Sequence, residues 1–279
     1  MQPYGLGFRY PHYQYIKENR PDVGWFEFIT ENLMEPGGRP REVFNTIRKD
    51  YPVVLHGVSL SIASTDPLNQ TYLKRLKALV DEVEPEWISD HLCWTTTNAH
   101  NSHGLLPMPL TESVVNHIVE RIQQVQDYLK RPMTFENLSN YLEFADSDMD
   151  EADFINEIMQ RSGAYFLLDI NNVYVSSMNL KRDPMDFLNK MDASLIRQIH
   201  LAGHEDCGSY LFDTHGAPVC NEVWELFRMT CRQLGSIPFM IERDDNVPEF
   251  DEVFAELNQA RAIHDEEIHT NASASLGAA

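Results

Sequence analysis

The sequence predicts an α/β protein, a single-domain (β/α)8 TIM barrel, and three observations predict it. Eight short apolar, β-branched or aromatic bursts recur along the chain, and segments with helical spacing lie between them. The length of 279 residues is close to the roughly 250 typical of such a barrel. An open, doubly wound sheet uses the same alternation and is the competing architecture.

The bursts run in order as GLGFR at 5–9, WFEFITE at 25–31, VVLHGVS at 53–59, WISDHLC at 87–93, MTFENL at 133–138, YFLLDINNV at 165–173, IRQIHL at 196–201 and PFMIER at 238–243. Between them, Leu73, Leu76, Leu79, Val80 and Val83 recur at three- and four-residue steps. Val114, Val115, Ile118, Val119, Ile122, Val125 and Leu129 do the same, and Thr111 followed by Glu112 is a suitable helix start, a hydroxyl cap followed by an early acid. Val223, Leu226, Phe227 and Leu234 predict a further helix, and Phe250, Val253, Phe254 and Leu257 a last one. Residues 98–109 read as a long βα loop without regular structure, of the kind that binds or covers a substrate at a barrel mouth. The acid run DSDMDEAD at 146–153 reads as a solvated helix lead-in that could meet a basic leader peptide or partner protein. With no Pro, Gly or Ser-rich linker, one domain is expected over 1–264. From 265 onward DEEIHTNASASLGAA turns small and polar and predicts a disordered tail.

Composition narrows the function classes. With 43 acidic against 22 basic side chains, the formal net charge of −21 repels phosphate backbones and anionic lipid heads, so no nucleic acid and no membrane are expected as partners. Hydrophobic residues make up 43% of the chain, enough for a large core. MQPYGLGFRY lacks the pattern of a signal peptide, which makes the cytoplasm the expected compartment. The four cysteines form no CxxC pair, so a bound metal would be held by His, carboxylate or amide groups.

Barrel enzymes carry their reactive side chains at the C-terminal ends of the strands. The ends of the bursts read Glu31-Asn32, His56, Asp90-His91, Glu136-Asn137, Asp169 with Asn171 and Asn172, His200 with His204, and Glu242 with Asp244 and Asp245. Each alone is explained by an ordinary hydrogen-bonded core or loop residue. Together they predict a cation site, because carboxylates gathered at one mouth repel one another unless bound cations compensate. Asp213-Thr214-His215 adds an Asp-x-His step. Ligands of these kinds suit iron, manganese or zinc, and more than four candidates point to more than one ion, with Glu136 as a bridge.

As an ordered set, HGVSL at 56–60, SDHL at 89–92, FEN at 135–137, LDINN at 168–172, HLAGH at 200–204, DTH at 213–215 and IERD at 241–244 resemble the signature blocks of the multinuclear non-haem iron-dependent oxidases. That family includes the methanobactin-forming and 3-thiaglutamate-forming enzymes that modify ribosomally made peptides. The resemblance spans about residues 5 to 260. It implies a barrel holding two or three irons in mixed ferrous and ferric states, with dioxygen as co-substrate. It implies His56, His91 and Glu136 on one iron and Glu136, Asp169, His200 and Glu242 on a second. Asn172 or its neighbour Asn171, with Asp213 and His215, would hold a third, more labile ion. Asp90 and His204 match groups near the ligands or substrate, and Asp90 suits the fixing of a ligand imidazole's tautomer.

The activity implied is oxidation of a cysteine, or of another side chain, in a precursor peptide, with a separate partner protein that recognises the leader segment. A divalent-metal sugar isomerase or epimerase and a metal-dependent hydrolase on a similar barrel are the alternatives. Glu27 and Glu31 share a strand face. Glu27 is expected to pair with an arginine such as Arg9, and Glu31 to cap a loop. Cys93 is expected to be a small buried hydrophobe rather than a ligand.

Overall fold

The computed structural model of the chain describes residues 1–98 and 100–277, with side chains up to residue 270. The first strands are β1 (Tyr4–Gly7), β2 (Phe26–Ile29), β3 (Val53–His56) and β4 (Ile88–His91). A hairpin of β5 (Trp94–Thr97) and β6 (His100–Leu106) follows, then β7 (Thr134–Glu136), β8 (Tyr165–Asp169) and β9 (Ile196–Leu201). A second hairpin, β10 (Glu205–Asp206) with β11 (Leu211–Phe212), precedes β12 (Phe239–Ile241). The eight strands outside the hairpins close in the order β1-β12-β9-β8-β7-β4-β3-β2, every pairing parallel. They are the eight bursts of the sequence. Closure rests on β1 against β12, with Tyr4 opposite Phe239, and this pairing excludes the open doubly wound sheet.

The helices are α1 (Tyr13–Asn19), α2 (Gly38–Ile47), α3 (Gln70–Val83), α4 (Glu112–Leu129), α5 (Glu151–Ser162), α6 (Ile170–Leu180), α7 (Pro184–Leu188), α8 (Asn221–Leu234) and α9 (Phe250–Gly277). Their starts are set by side chains that take up orphan amides. Asn69 accepts the Thr71 and Tyr72 N–H groups, Thr111 that of Val114, and Asp150 that of Ala152. The periodic residues of α3, α4 and α8 form their buried faces, packed against the outward-pointing strand residues in one continuous core, with Val114 and Leu234 half-buried at its edge.

Alternate strand residues point into the barrel and fill it in layers. Low in the barrel sit Trp25, Val54, Trp87 and Met240, a cluster of their own, with the two indoles edge-to-face at 5.3 Å. A Cβ on Gly5 would lie 2.4 Å from the Trp25 ring, so this strand position has to be glycine. Above it lies a polar layer containing Glu27 and Gln198, and above that the histidines and carboxylates of the mouth.

Two expectations are corrected. Of residues 98–109, read as a loop without structure, His100–Leu106 form β6 of the β5–β6 hairpin, whose polar HNSH run gives no apolar alternation to announce a strand, while Ala99 lies outside the described residues. The disordered tail expected over 265–279 is instead helical at its start, since α9 continues past Asp265 to Gly277. Glu267 is buried there and ion-paired with Arg228 and Arg232 of α8 at 3.0 and 2.9 Å. An ion-paired face holds this stretch where the apolar period fades. Ala278 and Ala279 lie outside the described residues. Among the described residues, no helix is long and apolar enough to cross a membrane.

Candidate metal centre

The C-terminal ends of β3, β4, β7, β8, β9 and β12 deliver His56, His91, Glu136, Asp169, His200 and Glu242 to one buried site. Three groups converge, the ligand atoms of each lying within 4.8 Å of one another: His56, His91 and Glu136; Glu136, Asp169, His200 and Glu242; and His215, Glu242 and Asp244. Glu136 belongs to the first two and Glu242 to the last two.

In the first group both imidazoles turn Nε2 toward the same oxygen, Glu136 Oε2, at 3.3 Å from His56 and 3.5 Å from His91. Their other nitrogens are fixed from behind. His91 Nδ1 donates to Gly57 O at 3.1 Å; a carbonyl can only accept, so Nε2 carries the lone pair. His56 Nδ1 meets Ser89 Oγ at 2.8 Å, and that hydroxyl donates in turn to Leu55 O. In the second group, His200 Nε2 faces Glu27 Oε1 at 3.2 Å, leaving Nδ1 toward Glu242 Oε2 at 2.9 Å and Glu136 Oε1 at 3.7 Å. His215 has Nδ1 3.2 Å from Glu242 Oε2 and 3.4 Å from Asp244 Oδ2. Its Nε2 is 2.8 Å from Asp213 Oδ1 and 3.6 Å from Asp169 Oδ2. His215 takes a left-handed backbone, φ 48°, and Asp244 N–H donates to its carbonyl at 2.9 Å, tying this loop to the end of β12.

The approaches of the inward-facing imidazole nitrogens to the carboxylates across the site are close without being hydrogen bonds. Glu136 Oε2, Asp169 Oδ2, His200 Nδ1 and both ring nitrogens of His215 are buried and have no hydrogen-bond partner; they account for five of the eleven such side-chain atoms among the described residues. Buried polar atoms are costly to leave unpaired, and these five face one another across one small space. The electrostatics agree. Burial opposes charge on every group, yet Glu27, Glu242 and Glu136 hold the His200 imidazole well above its ordinary pKa, and Asp213 does the same for His215. Burial would raise the Glu136 carboxyl, but His91, His200 and His56 hold it down to about 2. Burial, reinforced by Glu136 and Asp213, pushes Asp169 well up. Without cations the site balances its carboxylates by favouring protons on His200, His215 and the Asp169 carboxyl and by the Arg9 pairing with Glu242, and cations displace such protons. The residues could therefore hold metal ions. Nitrogen and oxygen donors without thiolate fit iron, manganese or zinc.

The remaining predicted residues are placed as follows. Asp213 contacts His215, but the third group contains Asp244, which the sequence reading noted at the strand end without assigning it to an ion. Asn172 lines the cavity, its amide held by Ser139 and Asn137, while Asn171 donates to Asp213 at 3.0 Å. His204 Nδ1 meets Asn171 Oδ1 at 2.8 Å, so His204 reaches the site only through Asn171. Asp90 does not hold a ligand imidazole. Its carboxylate accepts the Leu60 and His91 backbone N–H groups and so shapes the loop that presents Gly57 O to His91. Cys93 is buried as expected.

Glu27 departs most from expectation. Arg9 pairs instead with Glu242, at 3.3 Å, and with Asp244. Glu27 is 3% exposed and accepts from Gln198 Nε2 at 2.7 Å as well as from His200, while Gln198 also takes the Trp87 indole N–H. Glu31 accepts from Val58 N–H and from the Tyr72 hydroxyl, which does tie it to a loop. Glu27→Gln leaves one acceptor oxygen for two donors, and is expected to weaken metal binding by about 10–100-fold with the fold intact; titration of the metal-free chain with ferrous ion checks this.

A cavity of about 440 Å³ opens above these groups, lined by His56, His91, Glu136, His215 and Glu242 together with Leu105, Tyr141 and Phe212.

Among solved structures, the chain is similar in fold to a D-psicose 3-epimerase from Clostridium cellulolyticum H10 with D-tagatose. The TM-score is 0.61 at 11% identity, covering 96% of this chain and 99% of that one. It is also similar to the 3-keto-D-glucoside 4-epimerase YcjR from E. coli, with a TM-score of 0.56 at 14% identity over 95% and 100% of the two chains. At such identities the likeness shows the barrel alone. Relatives in sequence include a UPF0276 protein of Caulobacter vibrioides, 46% identical over 94% of this chain and 95% of that one. Another, from Anaeromyxobacter sp., is 47% identical over 93% and 92%. The family described as RiPP precursor modification enzyme MbnB/TglH/ChrH matches residues 3–265. A match of that extent, with relatives this similar over nearly their whole length, makes the chain a member of this family of enzymes that modify ribosomally made precursor peptides.

Proposed function

We propose that the chain is a multinuclear non-haem iron oxidase that uses dioxygen to modify a cysteine of a precursor peptide, in the cytoplasm and with a separate protein that recognises the leader. The observation that carries this reading is the pair of ligand groups sharing Glu136, with a third sharing Glu242, since ions held there would be close neighbours. His56, His91 and Glu136 would hold one ion and Glu136, Asp169, His200 and Glu242 the second. His215, Glu242 and Asp244 would hold a third, with Asp213 and Asn171 or Asn172 beside it. Iron bound there supplies positive charge for a substrate thiolate and the electrons that reduce dioxygen.

The chain's own residues set the conditions for that chemistry. Glu27, Ser89 and the Gly57 carbonyl fix three imidazoles so that each aims one lone pair into the site. Glu136, held ionised by its histidines, stays an anionic ligand at neutral pH. The apolar rim of Leu105, Tyr141 and Phe212 limits water at the mouth. The test is oxygen uptake and peptide mass spectrometry, with anaerobically purified, iron-loaded chain and a panel of synthetic cysteine-containing peptides. Oxygen is expected to be consumed only when iron and peptide are both present, with a mass change confined to cysteine. A zinc-loaded chain that isomerises a sugar, together with an unchanged peptide and no oxygen uptake, overturns the reading.

A further inference from the structure

Beside the metal cavity lies a larger groove of about 610 Å³, and the two share Leu138 as a wall. The chain following β7 lines both, and Pro107 and Met108, just after the β5–β6 hairpin, form part of the groove's wall. The volume is that of a specific binding pocket. Its lining combines apolar side chains, among them Leu110, Leu142 and Phe144, with acids. Glu143, Asp148, Asp150 and Glu151 line it against one base, Arg182, which is already paired with Glu143. Asp150 is paired with Lys190 at 3.2 Å. Among the described residues, the side chain of Glu151 has only the neutral amide of Asn140 as hydrogen-bond partner, at 2.9 Å, and burial pushes its carboxyl up to about 7.

The surface around both openings is apolar. Of the eleven exposed large hydrophobic residues among the described residues, Leu105, Tyr141, Leu142, Tyr210 and Phe212 gather here, with the Tyr141 ring 6.0 Å from Phe212 and 6.4 Å from Tyr210. Nearly half of such residues at one rim marks an interaction surface rather than scattered exposure. Its acids select the charge of what binds.

We propose that this groove takes an apolar residue of the precursor peptide, with a lysine or arginine next to it, while the residue to be modified enters the metal cavity on the other side of Leu138. The occupant rests on the peptide-substrate reading above. Side chains of an extended peptide alternate in direction, so one can fill the groove while another, a few positions away, enters the metal cavity. The apolar side chain covers Leu142 and Phe144, and the cation lies against Asp148 and Glu151.

The full-length chain is to be panned with a phage-displayed library of random peptides of about a dozen residues. Selected peptides are then labelled and titrated by fluorescence anisotropy against the wild type, Leu142→Asp and Asp148→Lys. Both substitutions lie on exposed side chains, and an unchanged thermal midpoint and iron content verify each variant. Selected peptides are expected to place Lys or Arg beside an aliphatic or aromatic residue, and to bind either variant at least about tenfold more weakly. Peptides without that pattern, or with equal affinity for all three chains, overturn the groove while leaving the iron reading intact. Charge-selective, groove-dependent binding by a chain that holds no iron supports the groove and counts against the oxidase reading alone.

Discussion

Glu136→Gln is expected to empty both metal positions that share this residue and to lower turnover by about 10³-fold, because several kcal/mol of charge stabilisation is lost at roughly 1.4 kcal/mol per factor of ten. Glutamine nearly matches the shape but supplies no anion to the three imidazoles that now hold the carboxyl ionised. The loss should therefore be one of metal content as well as rate. Iron analysis of anaerobically prepared protein, beside single-turnover kinetics, checks it. Retention of full iron and activity would remove Glu136 from the ligand set.

Gly203→Ala is expected to destabilise the chain by about 3 kcal/mol, near the upper end for a forced overpacking, which for a chain of this size lowers the thermal midpoint by roughly 5–10 °C. A Cβ at this position would sit 2.2 Å from Ala217 O and 2.4 Å from Pro218 O. Both clashes are with backbone, so no side chain can swing aside. The displaced segment is the one that carries His215, two residues before Ala217. Calorimetry together with iron titration is expected to show the His215 position weakened first, with the His56, His91 and Glu136 group still able to load. A midpoint within about a degree of wild type would mean that the 217–218 segment is free to move.

The barrel was legible because each of its strands falls in a short, mostly apolar run separated from the next by a helical segment, and the parallel closure of β1 on β12 needs no further signal. The metal-capable residues were legible for the same reason, since the strand ends place them at one mouth. What stayed hidden depends on pairings distant in sequence. Nothing local connects Glu27 to Gln198 and His200, more than 170 residues away, and an Arg9 partner was the plainer choice. Asp244 joins the third group because the end of β12 bends against His215, a tertiary accident of two loops. The β5–β6 hairpin is polar on both faces near its turn, and the start of the supposed tail is held by the Glu267 ion pairs rather than by an apolar stripe. Composition reads both as loop.

The charge of −21 also takes on a different meaning with the structure in view. Glu27, Glu136, Asp169 and Glu242 are all buried inside the barrel, where cations would compensate them. The groove beside Leu138 carries a further share, where a basic peptide would.

The most direct measurement of the central claim is Mössbauer spectroscopy with metal quantification on chain purified anaerobically after growth on enriched iron. More than one iron per chain, with spectra showing magnetically coupled ions, is the predicted result. A fully active chain containing a single uncoupled ion, or zinc alone, would contradict the account.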